Sequence, residues 1–186
     1  MHRLQEWGAV TALRGAPGAT SRRARLLAVA SIAVVVVAAD QITKSLAVAT
    51  LSNGRTLHLV GPFSLELNYN TGVAFSLAAG LGLPIVILTL ALLALLVWFA
   101  RGVPSVAEAT GAGLTLGGAI GNLSDRIFRA GGAVVDFLHP SFWPTFNLAD
   151  SAVVLGCGVL ALSYLRRKPP TPAQGSGPGA SAPERP

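Results

Sequence analysis

The chain has 186 residues, of which 52% are hydrophobic and only 12% charged, against roughly 25% charged in an ordinary soluble domain. That deficit, with a mean hydropathy of +0.58, points to a membrane protein. The net charge of +6 does not indicate nucleic acid, because the basic residues cluster beside apolar runs, where they act as topology signals, instead of covering a face.

Residues 1–21 form a basic extension with Arg3 and Arg14 and little to bury. A first apolar run, Leu26 to Ala39, follows Arg22, Arg23 and Arg25. Taken alone it has the build of a signal-peptide core, with "VAA" ahead of Asp40 in the place of a cleavage site. The apolar pattern resumes in "SLAVATL" up to Leu51, however, so an uncleaved span is the favoured reading. Asp40 and Lys44 are four residues apart, share a helical face and can neutralise each other. The segment Ser52 to Ala79 contains "RTLHLVGPFSLELNY", whose alternating apolar residues around Gly-Pro suggest short strands on the membrane surface.

Gly80 to Ala100 has 21 residues without a charge, enough at about 1.5 Å per residue to cross a bilayer core of roughly 30 Å. Arg101 follows. A third span, Val103 to Leu123, is interrupted by Glu108, read as hydrated near the inner interface. Its Gly113, Gly117 and Gly121 recur every four residues and offer one face for close helix packing. A second outer segment, Ser124 to Phe146, leads to the last span, Leu148 to Leu165, which stops at Arg166, Arg167 and Lys168. The core therefore spans residues 22–168. Residues 169–186, "PPTPAQGSGPGASAPERP" from Pro169, read as a disordered tail. Cys157, the lone cysteine, reads as a small buried apolar residue. Four spans put both termini on one side, and the positive-inside rule makes that side cytoplasmic.

On this topology the costly polar residues collect at one depth. Asp40 lies toward the outer end of the first span. Asn122, Asp125 and Arg126 end the third, and Asn147 and Asp150 begin the fourth, on one helical face. Asp136 falls in the connection, and Asn68 and Asn70 precede the second span. Polar groups at that depth face protein or water and default to function. Structural alternatives stand beside this reading: an orienting Asp40–Lys44 pair, helix-end charges at Asp125 and Arg126, and a helix cap at Asn147 and Asp150. Phe137, Phe142, Trp143 and Phe146 read as an interfacial belt, with His139 among them. Two carboxylates brought together in a low-dielectric site share a proton, one acting as base and one as acid. The chain has no G-x-S-x-G, H-E-x-x-H, phosphate loop or Cys/His metal set, so paired acids are the hydrolytic parts present. The competing class is a transporter relaying protons through Asp40, Glu108 and the outer acids. With Glu108 alone in the inner half, that path is broken.

Four motifs in order, "DQITK" (40–44), "NTGVAF" (70–75), "GNLSDRIFRAGGAVVDF" (121–137) and "FNLAD" (146–150), make the chain similar to the lipoprotein signal peptidases, the type II signal peptidases of bacteria. The resemblance covers about residues 26–165. It implies an all-α membrane protein of four transmembrane helices with a small extracytoplasmic β-rich cradle. The implied protein is an inner-membrane aspartyl endopeptidase that cuts diacylglyceryl-modified prolipoproteins before the lipidated cysteine. The resemblance places the catalytic dyad on Asp136 and Asp150. It implies that Asn70, Gly72, Asn122, Arg126 and Asn147 line the substrate site or steady the dyad, and that Asp40, Lys44 and Asp125 are structural or supporting. No metal or cofactor is expected. The expected partners are prolipoproteins and membrane lipids, not nucleic acid, and the expected state is a monomer.

Overall fold

A computed structural model describes residues 21–71 and 82–166 of the chain. Its elements in order are helix α1 (Arg22–Leu51), strands β1 (Leu57–His58) and β2 (Phe63–Asn70), helices α2 (Gly82–Ala100) and α3 (Val106–Phe128), a 3-10 turn (Ala130–Gly132), strand β3 (Val134–Pro140) and helix α4 (Leu148–Leu165). Among the described residues, α1 and α4 are long and apolar enough to cross a membrane. The basic extension before residue 21, Gly72, and the tail after residue 168 lie outside the described residues.

The helices pack on α3, which contacts α1, α2 and α4. Small residues allow this. A Cβ at Gly113 or Gly117 would overlap Ile32 or Val36 of α1, and one at Gly121 would come within 2.6 Å of Asp40 Oδ2. The four-residue glycine repeat therefore receives α1, as expected. A second set, Gly111 and Gly118 on α3 with Gly156 on α4, brings those two backbones together; the sequence reading did not identify it. Away from the sheet the core is Val29, Ala33, Ala100, Val103, Ala109, Ala112 and Leu116. A second cluster of Ala47, Leu51 and Phe137, with Leu65, Leu67 and Leu138, sits beneath the sheet.

Several boundaries and environments differ from the sequence reading. Helix α3 starts at Val106, because Ser105 caps it by accepting the Glu108 N–H at 3.2 Å, and it continues past Leu123 to Phe128. Asp125 and Arg126 thus stand in its last turns, as the helix-end reading had them, and the connection begins after Phe128 rather than at Ser124. Glu108 is 4% exposed, so it is packed rather than hydrated. Cys157 is exposed: Gly156 is the residue turned to α3, and the next position points away, about 100° around the helix. Phe137 is buried under the sheet, whereas Phe142 and Trp143 are exposed as expected for a belt.

The sheet has the order β1–β2–β3 and is antiparallel throughout. Its β2–β3 register pairs Ser64 with His139, Asn68 with Asp136 and Asn70 with Val134, with an irregularity between Leu65 and Asn68. Between α3 and β3 the chain reverses through Gly131 and Gly132, at φ of 77° and 65°, a left-handed region where side-chain-bearing residues are strained. This is what the "GG" of the third motif does: it turns the chain so that β3 runs back across the ends of the helices.

Candidate active site

The polar residues singled out in the sequence converge where α1, α3, α4 and the sheet meet. Asp136 stands on β3, a strand where the sequence suggested only a connection, and is 1% exposed. After β3 the chain turns and is pinned back: the Phe137 and Leu138 N–H groups donate to the Phe146 carbonyl at 3.1 and 2.9 Å, and the Phe146 N–H donates to the Leu138 carbonyl at 2.9 Å. This clip delivers Asn147 beside Asp136. Asn147 is the N-cap of α4 and forms a reciprocal capping box. Its Oδ1 accepts the Asp150 N–H at 3.0 Å, and Asp150 Oδ2 accepts the Asn147 N–H at 3.1 Å. The capping alternative is therefore correct as far as it goes, and Asn147 lies just ahead of the helical face it was assigned to.

Capping does not account for the remaining bonds. Asn147 Nδ2 donates to Asp136 Oδ1 at 2.7 Å and to Asn122 Oδ1 at 3.1 Å. Asn122 Nδ2 donates to Asp150 Oδ1 at 2.7 Å. Asn70 Nδ2, one diagonal step along the β2–β3 register, donates to Asp136 Oδ2 at 3.0 Å. The two carboxylates are thus joined through amides that only donate to them. Burial pushes the Asp136 carboxyl above its ordinary value and the charge of Asp150 adds to the rise, while the bonds from Asn70 and Asn147 oppose it.

Behind the pair lies a closed set of charges. Lys44 reaches Asp40 Oδ2 at 2.8 Å, Asp125 Oδ2 at 3.0 Å and Asn122 Oδ1 at 2.9 Å. Asp40 also accepts the Ala149 N–H at 3.0 Å, tying α1 to the start of α4. Asp125 further accepts Arg129 Nε at 2.8 Å, Gln41 Nε2 at 3.1 Å and the Val135 N–H at 3.1 Å, which locks β3 to α3. Every buried side-chain nitrogen and oxygen among the described residues has a partner, as a buried polar cluster requires if it is not to destabilise the fold.

Of the residues named from sequence, Asp40, Lys44, Asn70, Asn122, Asp125, Asp136, Asn147 and Asp150 come together. Half-buried Arg126 touches the cluster only through Nη1 to the Asn122 carbonyl, a long 3.4 Å. Gly72 lies outside the described residues. Gln41 and Arg129 were not singled out. Arg129 carried a signal, standing four residues after Asp125 on the same helix; Gln41 lies within the quoted motif DQITK and bonds its neighbour Asp40 at 3.2 Å, while its partners Gly121 and Asp125 are remote in sequence. His139, read as interfacial, lies 3.2 Å from Glu66 Oε1 and 3.2 Å from Thr145 Oγ1.

Apolar helices capped by a small sheet, with buried acids at the junction, have the build of a membrane enzyme. A solved structure described as a bacterial membrane enzyme, obtained by the in meso method at 1.9 Å resolution, superposes with a TM-score of 0.67 at 28% identity, covering 74% of this chain and 92% of that one. A second, at 2.3 Å resolution, gives a TM-score of 0.62 at 29% identity over 72% of this chain and 85% of that chain. The sequence narrows the class. The model of the family described as signal peptidase (SPase) II matches residues 32–166. The lipoprotein signal peptidase of Rhodococcus jostii is 44% identical over 151 residues, covering 78% of this chain and 74% of its own. That of Mycolicibacterium smegmatis is 39% identical over 183 residues, 90% of this chain and 77% of its own. The chain belongs to the signal peptidase II family and is a peptidase.

Proposed function

We propose that this peptidase is an aspartyl endopeptidase that removes the signal peptide from diacylglyceryl-modified prolipoproteins, cutting before the lipidated cysteine, with Asp136 and Asp150 as the catalytic pair. The observation that carries the reading is the amide bridge. Asn122 and Asn147, themselves bonded to each other, tie the two carboxylates into one network at a single site. In use, one acid takes a proton from water while the other gives one to the substrate. The motifs assign Asn70, Gly72 and Arg126 to contact with the peptide or to support of the pair. The pair titrates as a unit.

The same reading puts four spans in the bacterial inner membrane, with both termini cytoplasmic and the acids near the outer face, where a lipid-anchored peptide presents its scissile bond. Support comes from the apolar α1 and α4 and from basic residues at Arg22, Arg23, Arg25, Arg101 and Arg166, all on one side of that topology. A monomer suffices, because both acids and all their partners come from one chain.

The test is prolipoprotein shortening by Asp136→Asn, Asp150→Asn and the double variant, with membrane amounts matched. Each single change should remove nearly all cleavage, and the double should be little worse, since groups acting as a unit are strongly non-additive. Glu108→Gln, remote from the acids, should cleave at a near-normal rate. Substantial cleavage by either single variant would exclude the aspartyl mechanism.

A further inference from the structure

Each acid follows a residue whose backbone N–H is held by a buried carboxylate. Val135, just ahead of Asp136, donates to Asp125 Oδ2 at 3.1 Å. Ala149, just ahead of Asp150, donates to Asp40 Oδ1 at 3.0 Å. Neither N–H is used within its own element. Successive N–H groups of a strand point to opposite edges, and that of Val135 points away from β2, to α3. Ala149 is in the first turn of α4, where N–H groups have no partner inside the helix. The two holding carboxylates are in turn joined to each other. Lys44 Nζ reaches Asp40 Oδ2 at 2.8 Å and Asp125 Oδ2 at 3.0 Å. Gln41 Nε2 reaches Asp40 Oδ2 at 3.2 Å and Asp125 Oδ1 at 3.1 Å.

We propose that Asp40 and Asp125 are positioning residues that set the separation of Asp136 and Asp150 through the main chain. This rests on the aspartyl reading above. The other contacts leave that separation open. The ladder holds β3 to β2, not to the helices. The capping box is confined to α4, and the close contact of Gly118 with Ala149 limits only how near α3 and α4 can come. Asn122 and Asn147 link the carboxyl groups, but through side chains that turn about their own bonds. A hydrogen bond at the residue next in the chain restrains the backbone on which each acid stands. Lys44 and Gln41, shared by both carboxylates, make the two bonds parts of one bracket. The chemistry depends on this spacing. Two carboxyl groups share one proton only while they are close, because the cost of ionising the second falls as they separate.

The main chain allows a test that leaves every side chain in place. In cell-free synthesis of the full chain, the α-hydroxy analogue of Ala149, or of Val135, exchanges one N–H for an ester oxygen. The same exchange at Leu155, exposed on α4 and away from the bracket, is the control for a weakened helix. The limbs of the pH profile of kcat/KM for a lipid-modified prolipoprotein report the two apparent values of the pair. With the bracket cut the carboxyl groups move apart and their coupling falls. The two limbs should then draw together by about one pH unit, with kcat down by about 10²-fold and KM unchanged. The charged groups around the acids, Asp40 and Lys44 from α1 and Asp125, Arg126 and Arg129 from α3, are the same in the ester chains, so a narrower profile reports distance. A loss of amplitude with the limbs at their wild-type separation, as expected for the Leu155 control, would make the role merely structural and overturn the proposal. If the ester chains do not accumulate, Asp40→Asn/Lys44→Met is compared with Asp40→Ala/Lys44→Met. Both lack the ammonium and carry the same net charge; only the first keeps an oxygen for the Ala149 N–H. It should retain the wider profile and the higher kcat, and equal profiles overturn the proposal. The aspartyl reading fails separately, by cleavage in Asp136→Asn or Asp150→Asn with the bracket intact.

Discussion

Gly118 offers a test of what spaces the acid pair. It lies on α3 against the first turn of α4. A Cβ there would overlap the carbonyl oxygen of Ala149, and would come within 3.2 Å of the Ala149 carbonyl carbon and 2.8 Å of Val153 Cγ2. Ordinary contact begins at 3.4 Å, and the obstacle is backbone that no rotamer change relieves. Gly118→Ala therefore forces the helices apart by a distance on the order of 1 Å, and a misplacement of that size costs about 10²-fold in rate. The displaced turn carries the Ala149 N–H bound to Asp40 and the Asp150 carboxylate bound to Asn122 at 2.7 Å, so the spacing of the pair moves with it. Overpacking should also lower stability by about 1–3 kcal/mol. The assay is prolipoprotein shortening in detergent with protein amounts matched, alongside thermal unfolding. Gly158→Ala, on the facing helix α4, is the control: its Cβ meets nothing within 4 Å, so cleavage and melting should hold. Wild-type cleavage by Gly118→Ala would refute the claim that the α3–α4 contact sets the geometry of the acids.

Three further outcomes are expected. In intact spheroplasts, an outside thiol reagent should label a cysteine at position 141 and miss one at 181, measured in a Cys157→Ser background; the reverse pattern would invert the topology. Deleting residues 169–186 should leave insertion and cleavage nearly unchanged, because that composition has little to bury; a chain that inserts normally but no longer cuts would reveal a role for the tail. The raised Asp136 carboxyl means that the folded chain binds this proton more tightly than the unfolded chain. Its stabilising effect is complete below the unfolded value and is lost as pH rises through the raised folded one. Asp136→Asn, which cannot ionise, should thus gain in melting temperature over wild type toward neutral pH and lose that advantage in acid; a difference independent of pH would contradict the assignment.

The apolar runs, the glycine repeat at 113, 117 and 121 and the presence of Asp136 and Asp150 in apolar surroundings were legible from local pattern. Each depends on chemistry a short window contains: uninterrupted hydrophobicity, helical spacing, carboxylates where charge is costly. The alternation in "RTLHLVGPFSLELNY" announced the strands for the same reason. Less visible was β3, since "VVDFLHP" is buried on both faces and shows no alternation. The extension of α3 to Phe128 was hidden as well, because Asp125, Arg126 and Arg129 interrupt the apolar pattern after Leu123.

What the sequence determined alone is the inventory: a membrane-class composition, apolar runs, and acids and amides in four motifs. It also set the local devices, such as the Asn147–Asp150 capping box and the Gly131–Gly132 reversal, because these need only neighbouring residues and the backbone angles they allow. Tertiary structure decided which polar atoms face which. Lys44 meets Asn122 across 78 positions and Asp40 meets the Ala149 N–H across 109, separations at which no periodicity survives. Only the approach of α1 and α4 to α3, permitted by glycines on two faces, brings those groups within hydrogen-bonding distance. Burial then forces every donor to find its acceptor. The direction in which each amide faces is consequently a property of the packed molecule.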